Sequence, residues 1–212
     1  MFPGYNQGET VQRIAAGIFD GIKDYPYGIQ FTTNYISGDY IPHIRIMNTF
    51  LDEMNEAREF GMPYVIRREP RPYDTTTLNY NWQVWDTKSF SLYTGASDRI
   101  DNEKSLMAFN AVLRFMNAIG VLECAVPEGV ESKVINESKM HTVKTKKAGL
   151  FNLRVKTGQE VKKGDVLATV HDTIEGEMVD ELVADSDGIV FFNHNKPIIY
   201  AKTIAFKILK NS

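Results

Sequence analysis

The sequence predicts an α/β layer followed by a small all-β module. Three observations predict it: apolar residues at helical spacing in three early segments, short strand-like runs between them, and a change of texture near residue 121. Beyond that point Gly149, Gly158, Gly164, Gly176 and Gly188 punctuate segments rich in Val, Ile, Leu and Phe, with no helical period.

The elements follow in order. Val11, Ile14, Ala15, Ile18, Phe19 and Ile22 recur at helical spacing, so Glu9 to Ile22 reads as an amphipathic helix with one buried stripe. An apolar-rich strand, Gly28 to Thr33, runs out into a polar loop from Asn34 to Asp39 and returns through Ile41-Pro42-His43. Side chains at the end of such a strand face an open loop, where α/β enzymes keep their chemistry. Here those residues are Thr32 and Thr33, neither a strong metal ligand nor a general base. Asn48 or Thr49 caps a second helix with Phe50, Leu51, Met54, Ala57 and Phe60 on its apolar face, closed by Gly61 and Pro63. Tyr64 to Ile66 is a short strand. Arg67 to Thr77 has no periodicity and reads as a loop, and Tyr80 to Trp85 reads as strand or loop. Ser89 to Thr94 is a clearer strand. Asn102 caps a third helix with Leu106, Phe109, Val112, Leu113, Met116 and Ile119 on one face. Pro127 to Glu137 is the expected linker, giving domains of residues 1–122 and 123–212.

Composition narrows the function. The chain has 212 residues with 24 basic and 27 acidic side chains, so it carries no electrostatic footprint for a nucleic acid or an anionic membrane. The one basic block, Lys144 to Lys147, is broken by Thr145. A single cysteine, Cys124, excludes an internal disulfide and, on its own, a thiolate zinc site. No apolar run approaches a membrane span, and Met1-Phe2-Pro3-Gly4 lacks the pattern of a signal peptide, so a cytoplasmic location is expected.

In the β module, Gly158 and Gly164 bracket a turn in which Val161 points inward, with Asp165 leading into the next strand. The run from Gly149 to Val170 resembles the hammerhead half-motif of biotinyl and lipoyl domains, and Ala184 to Val190 resembles its second half. The resemblance implies a barrel-sandwich hybrid fold. A carrier needs a lysine at the hairpin tip to bear its prosthetic group, and no lysine occurs between Lys163 and Lys196. His171 and Glu175 are four apart in that tip, without the helix that would align them on a metal.

Across both parts the chain resembles the succinylglutamate desuccinylase and aspartoacylase family of zinc-dependent deacylases, relatives of the zinc carboxypeptidases. Phe2-Pro3-Gly4, with Gly8-Glu9-Thr10 and Arg13-Ile14-Ala15, looks like the family's Phe-Pro-Gly segment and following helix. Tyr27 to Thr32 is similar to the strand that ends in Asp-Leu-His, Ile41 to Arg45 to the Pro-x-x-Arg after it, and Phe90 to Gly95 to the Thr-x-Glu-x-Gly strand. The resemblance implies hydrolysis of an amide or ester by one zinc ion. The ion would be held by His-x-x-Glu and a later His, with a glutamate taking a proton from the bound water.

This chain departs from that pattern at each reactive position. Its first residue follows the point where His-x-x-Glu would stand, and none of His43, His141, His171 or His194 has Glu three residues on. Thr32 stands at the third ligand position and Tyr93 at the glutamate position. Thr is a poor zinc ligand, and Tyr, with an ordinary pKa of about 10, a poor base at neutral pH. The expectation is a fragmentary, catalytically silent relative with no bound cofactor, zinc being the family's. Its start at Met1 is that of a native protein, a split gene or a misassigned frame.

Two residues beside the loop are candidates for residual chemistry. His43 is a displaced metal ligand or proton shuttle, or an anchor for the loop. Arg45 grips a substrate carboxylate, or pairs at the surface. Asp98, Arg99 and Asp101 form a polar site cluster, or Asp101 and Asn102 simply cap the third helix. Tyr35, Tyr40, Tyr73, Tyr80, Trp82 and Trp85 line a pocket or contact surface or serve as packing, the two tryptophans being the best interface candidates. An incomplete sheet calls for a partner, so homo-oligomerisation or a second chain completing the α/β sheet is expected. A small acyl-amino-acid or peptide ligand is the expected small molecule. The enzymatic alternative is a hydrolase whose partner chain supplies His-x-x-Glu, with His43 replacing the missing His.

Overall fold

A computed structural model describes residues 1–33, 36–96 and 99–210. In chain order its helices are α1 (Thr10–Ile22), α2 (Met54–Arg58), α3 (Leu78–Val84) and α4 (Asn102–Ala118). Its strands are β1 (Tyr27–Thr32), β2 (Asp39–Tyr40), β3 (His43–Met47), β4 (Tyr64–Arg68), β5 (Lys88–Tyr93), β6 (Lys133–Asn136), β7 (Met140–Lys144) and β8 (Gly149–Leu153), then β9 (Glu160–Val161), β10 (Val166–His171), β11 (Met178–Val183), β12 (Gly188–Asn193), β13 (Ile198–Ile199) and β14 (Ile204–Lys210). Short 3₁₀ turns occupy Pro72–Thr76 and Glu137–Lys139.

The chain packs as two units, and neither is one continuous stretch. The first comprises Met1–Thr32, Pro42–Tyr93 and Leu106–Asn136; the second comprises Thr33–Ile41, Thr94–Ser105 and Glu137–Ser212.

The first unit is a mixed five-stranded sheet in the order β1-β5-β3-β4-β6. All its pairings are parallel except β3 with β5. Because side chains alternate along a strand, each face has its own character. One face carries Ile29, Ile44, Ile46, Val65, Phe90 and Leu92, which close a core with Phe60 from below α2 and Ala108, Ala111 and Phe115 of α4. The opposite face is polar toward the β1 side, with Gln30 and Thr32 of β1, Ser89, Ser91 and Tyr93 of β5 and His43 and Arg45 of β3. It is covered there by α3, and the Trp82 ring lies where a side chain on Gly28 would have to go.

The second unit holds a four-stranded sheet, β11-β10-β8-β13, and a sheet ordered β2-β12-β14-β7 to which β9 adds on β12. Its core draws Leu167, Ala168, Val170 and Leu182 from the first of these and Val190, Ala205, Phe206 and Ile208 from the other. Val161 is buried in that core, as the turn between Gly158 and Gly164 requires. A Cβ at Gly38 would collide with the Asn193 carbonyl and the Phe192 ring, so only glycine lets β2 lie against β12.

Several elements differ from their sequence expectation. Asn48 and Thr49 do not cap a helix: β3 runs on until the Asn48 N–H bonds to Arg68 O at 2.8 Å, and α2 begins only at Met54. Phe50 is left exposed. The segment from Tyr80 to Trp85, read as strand or loop, is the body of α3, with Thr77 Oγ1 accepting from the Tyr80 N–H as its cap. Its inward side chains are Asn79, Asn81, Trp82 and Gln83, so the helix shows no apolar period in the sequence. Arg67 to Thr77 is not all loop, since β4 extends to Arg68 and Pro72–Thr76 is a 3₁₀ turn. The stretch from Pro127 to Glu137 contains β6, paired parallel to β4. In α1 the buried residues are Ala15, Ala16 and Phe19, while Val11, Ile14 and Ile18 stay exposed; in α4 they are Ala108, Ala111 and Phe115, while Leu106 and Phe109 stay exposed.

Candidate functional site

The polar face of the first sheet gathers the residues on which the sequence argument turned. β1 and β5 run parallel with Thr32 beside Tyr93 and Gln30 beside Ser91. β3 runs the other way on the far side of β5, placing His43 beside Tyr93 and Arg45 beside Ser91. Two rows result across three strands: Thr32, Tyr93, His43 at the strand ends, and Gln30, Ser91, Arg45 behind them.

In the outer row the His43 ring is stacked on Tyr93, with centroids 4.8 Å apart and planes within 6°, and His43 is only 2% exposed. Arg45 Nη1 donates to the Tyr93 hydroxyl at 2.7 Å, and its guanidinium carbon lies 4.2 Å from the centre of the same ring. Tyr93 thus contacts both an imidazole and a guanidinium. The arginine meets the phenol both through a hydrogen bond to its oxygen and through a cation–π contact with its ring.

The inner row is a buried polar cluster without a carboxylate. Asn79 of α3, 4% exposed, donates from Nδ2 to Ser91 Oγ at 3.0 Å. Three atoms around this row are buried with no hydrogen-bond partner among the described residues: Asn79 Oδ1, Gln30 Oε1 and Arg45 Nε. Buried polar atoms carry a desolvation cost unless something pairs with them, and two acceptors and a donor suit a small polar molecule or ordered water.

The same face holds a buried carboxyl farther from the strand ends. Glu53, 1% exposed, accepts from Gln83 Nε2 at 2.7 Å and from the Ser89 N–H at 2.7 Å. Burial pushes its carboxyl up to about 7, more than these two hydrogen bonds and Lys88 pull it down.

The donor set at the strand ends does not fit zinc. It offers one imidazole, a phenol, a threonine hydroxyl and a guanidinium, where zinc takes three or four His, Cys or carboxylate ligands. Among the described residues no group of three or more His, Cys, Asp and Glu is placed to hold a metal ion.

The remaining candidates fall elsewhere. Asn34, Tyr35 and Asp98 lie outside the described residues. Arg99 and Lys104 pair with Asp39 of β2, and Asp101 caps α4 by accepting from the Lys104 N–H at 3.1 Å. Trp82 is a core residue and no surface anchor: it is buried, and its Nε1 donates to Ile22 O at 3.1 Å. Trp85 is partly exposed and meets Phe19 edge-on at 5.0 Å. Tyr40 is buried with its hydroxyl on Gly95 O, while exposed Tyr73 receives hydrogen bonds from Arg68 and Arg71. Tyr80 is half-buried. His171 bonds to Thr169 Oγ1 and Gly176 O within its own hairpin, and Glu175 is exposed. Cys124 is exposed beside Asn117. Gln30, Asn79, Ser91 and Glu53 were not singled out in the sequence. The alternation Ser89, Ser91, Tyr93 along β5 was the available signal that one face of this sheet is polar.

No protein-family model matches the sequence, and no curated protein matches it. Solved structures do. The product-bound ectoine utilization protein EutE (DoeB) from Ruegeria pomeroyi superposes with a TM-score of 0.83 at 16% identity, over 99% of this chain and 66% of that one. A succinylglutamate desuccinylase/aspartoacylase from Rhodobacter sphaeroides gives 0.81 at 19% identity, over 100% and 66%. An aspartoacylase family protein from Mesorhizobium loti gives 0.72 at 15% identity, over 100% and 66%. The fold is therefore that of succinylglutamate desuccinylase/aspartoacylase family structures, and the chain spans about two thirds of their length. Among the described residues no helix is long and apolar enough to cross a membrane.

Proposed function

We propose that this chain is a binding or assembly subunit built on a deacylase fold, and that it does not itself perform zinc-dependent hydrolysis. The observation that carries the reading is the set of contacts that Tyr93 makes. At the end of β5, where the resemblance calls for a proton-accepting glutamate, stands a phenol stacked on His43 and bonded to Arg45. His43 as a displaced zinc ligand would have to leave that stack with a guanidinium as neighbour, which disfavours a second cation. Thr32 at the end of β1 supplies no replacement ligand.

What the site retains is recognition. Arg45, Asn79 and Gln30 present donors and acceptors suited to a small acyl-amino-acid or peptide, the guanidinium toward a carboxylate and the amides toward an amide group. In this reading the first unit is the carboxypeptidase-like α/β domain, and the second is a barrel-sandwich module that carries no prosthetic group, because its hairpin tip, His171 to Met178, has no lysine. A cytoplasmic protein that works with a second chain fits both.

The test is elemental analysis for zinc after purification without chelator, together with hydrolysis assays on N-acetyl and N-succinyl amino acids. The expected outcome is zinc far below one ion per chain, no turnover, and N-acyl-amino-acid binding by calorimetry that is lost in Arg45→Ala. Stoichiometric zinc that disappears in His43→Ala would sink the reading and favour a hydrolase completed by a partner chain.

A further inference from the structure

A cleft beside the last turns of α4 lies wholly in the first unit and shares no residue with the polar face of the sheet. Arg114, Asn117 and Ala118 of α4 form one wall, the segment from Val126 to Gly129 forms the other, and Glu59 lines it from the end of α2. Its volume is about 470 Å³, within the range of small-molecule sites.

The sequence reads the stretch from Pro127 as a linker, yet hydrogen bonds fix it. Asn117 Nδ2 donates to Cys124 O at 2.8 Å, and Asn117 Oδ1 accepts from the Cys124 N–H at 3.2 Å. The Val130 N–H donates to Gly61 O at 3.0 Å. Arg114 completes the attachment, with Nε donating to Phe60 O at 2.9 Å and Nη1 to Pro127 O at 3.0 Å. Its guanidinium sits close against two glycines. A Cβ on Gly61 would meet Arg114 Nε at 2.7 Å, and one on Gly129 would meet it at 2.8 Å. A wall held in this way keeps its shape before any ligand arrives.

These contacts satisfy part of the guanidinium and leave its charge unanswered. Among the described residues no carboxylate pairs with Arg114, and its Nη2 makes no hydrogen bond. Burial pulls its pKa below the ordinary arginine value, as desolvation of an uncompensated cation does. A fixed guanidinium with an uncommitted nitrogen on the wall of a cleft is suited to a carboxylate.

The rest of the lining says which carboxylate. Glu59 and Glu128 line the same cleft, both exposed and neither in an ion pair among the described residues. A plain anion reaching Arg114 would meet two like charges, and a plain cation reaching the glutamates would meet the guanidinium. A zwitterion answers both. The C-terminal end of α4 carries the negative end of the helix dipole, which also favours an ammonium group. Ala118, Val126 and Pro127 supply apolar surface beside these charges.

We propose that this cleft binds a free α-amino acid with an apolar side chain. The carboxylate pairs with Arg114, the ammonium with Glu59 and Glu128, and the side chain lies against Ala118, Val126 and Pro127. The site is independent of the functional reading above, whose ligand is held by Arg45.

The probe is L-leucine, titrated into the isotope-labelled full chain and followed by proton–nitrogen correlation spectra that include the arginine Nε–H signals. The expected result is saturable shifts at Arg114 Nε–H and at the main-chain N–H groups of Gly61, Asn117 and Gly129. L-leucinamide keeps only the ammonium and isocaproate keeps only the carboxylate. Each should bind at least about tenfold more weakly, the loss of one charge-assisted contact. Arg114→Gln should abolish binding, but it also removes contacts that hold the cleft together. The double variant Glu59→Gln/Glu128→Gln changes two exposed side chains and avoids that difficulty. It should weaken L-leucine at least about tenfold while isocaproate binds no more weakly than to the wild type. Arg45→Ala should leave L-leucine binding unchanged. No saturable shift, shifts centred on Arg45, equal binding of L-leucine and either analogue, or L-leucine binding that survives the double variant would each overturn the proposal. None of these readouts involves zinc or turnover, so an active wild-type hydrolase would refute the silent reading and leave this site standing.

Discussion

Glu53 offers the most direct test of how the polar face is balanced, and the perturbation is Glu53→Gln. The carboxyl moves from an ordinary value of 4.5 in the unfolded chain to about 7 in the fold, because burial penalises the charged form. Between those values the folded protein holds a proton that the unfolded chain has released. The contribution to stability is therefore fully present below about pH 4.5, declines as pH rises, and is gone above about pH 7. The gap between the two values corresponds to about 3 kcal/mol. Glutamine keeps the acceptor for the Ser89 N–H and, once the Gln83 amide turns over, donates to Gln83 Oε1, which is buried with no partner among the described residues. The variant and the wild type should be equally stable near pH 4.5. At pH 8 the variant should be more stable by up to about 3 kcal/mol, or on the order of 12 °C in the melting temperature of the first unit. The assay is thermal unfolding followed by near-ultraviolet circular dichroism from pH 4.5 to 8, reading the difference between the proteins so that other titrating groups cancel. A variant less stable than wild type at pH 8, or a difference independent of pH, would show that the carboxylate's hydrogen bonds outweigh its desolvation.

Other outcomes follow from single contacts. Tyr93→Phe removes the acceptor for Arg45 Nη1 at 2.7 Å and should cost about 1.5 kcal/mol in urea unfolding, with the stack on His43 retained. Asp74→Ala strips a buried carboxylate from Arg68 at 3.0 Å and from the Arg71 N–H at 2.8 Å, and a loss of about 3 kcal/mol is expected. Gly38→Ala drives a methyl into the Asn193 carbonyl and the Phe192 ring and should lower the stability of the second unit by about 1–3 kcal/mol, visible as earlier loss of amide protection in β12 than in β5.

The first helix, the strand that leads to the candidate site and the fourth helix were legible because each carries an apolar period of its own. Motifs in order gave the fold, and the solved structures show it. What the sequence hid had a physical reason in each case. α3 turns Asn79 and Gln83 inward onto Ser91 and Glu53, and Asn81 onto the Phe2 and Thr75 carbonyls, so its buried face reads as surface in any hydrophobic pattern. The second helix was placed too early because Asn48 continues the β3–β4 ladder, its N–H bonded to Arg68 O, a tertiary pairing that local propensity does not register. At the site, Thr32, His43, Arg45 and Tyr93 were all named in advance. The stack of His43 on Tyr93 follows from β3 running antiparallel to β5, a pairing that no spacing in the chain announces.

The small β2 strand has a consequence for how the protein is made. Asp39 and Tyr40 pair with Asn193 and Phe192, so two residues synthesised early must wait for about 150 more before their partners emerge, at ribosomal rates of about 5–20 residues per second. Until then the second unit cannot finish its sheet, whatever the first has achieved. Long closures of this kind slow folding and prolong the exposure of unpaired strands, so β2 stays without its partner strand through most of the synthesis of the second unit's other strands.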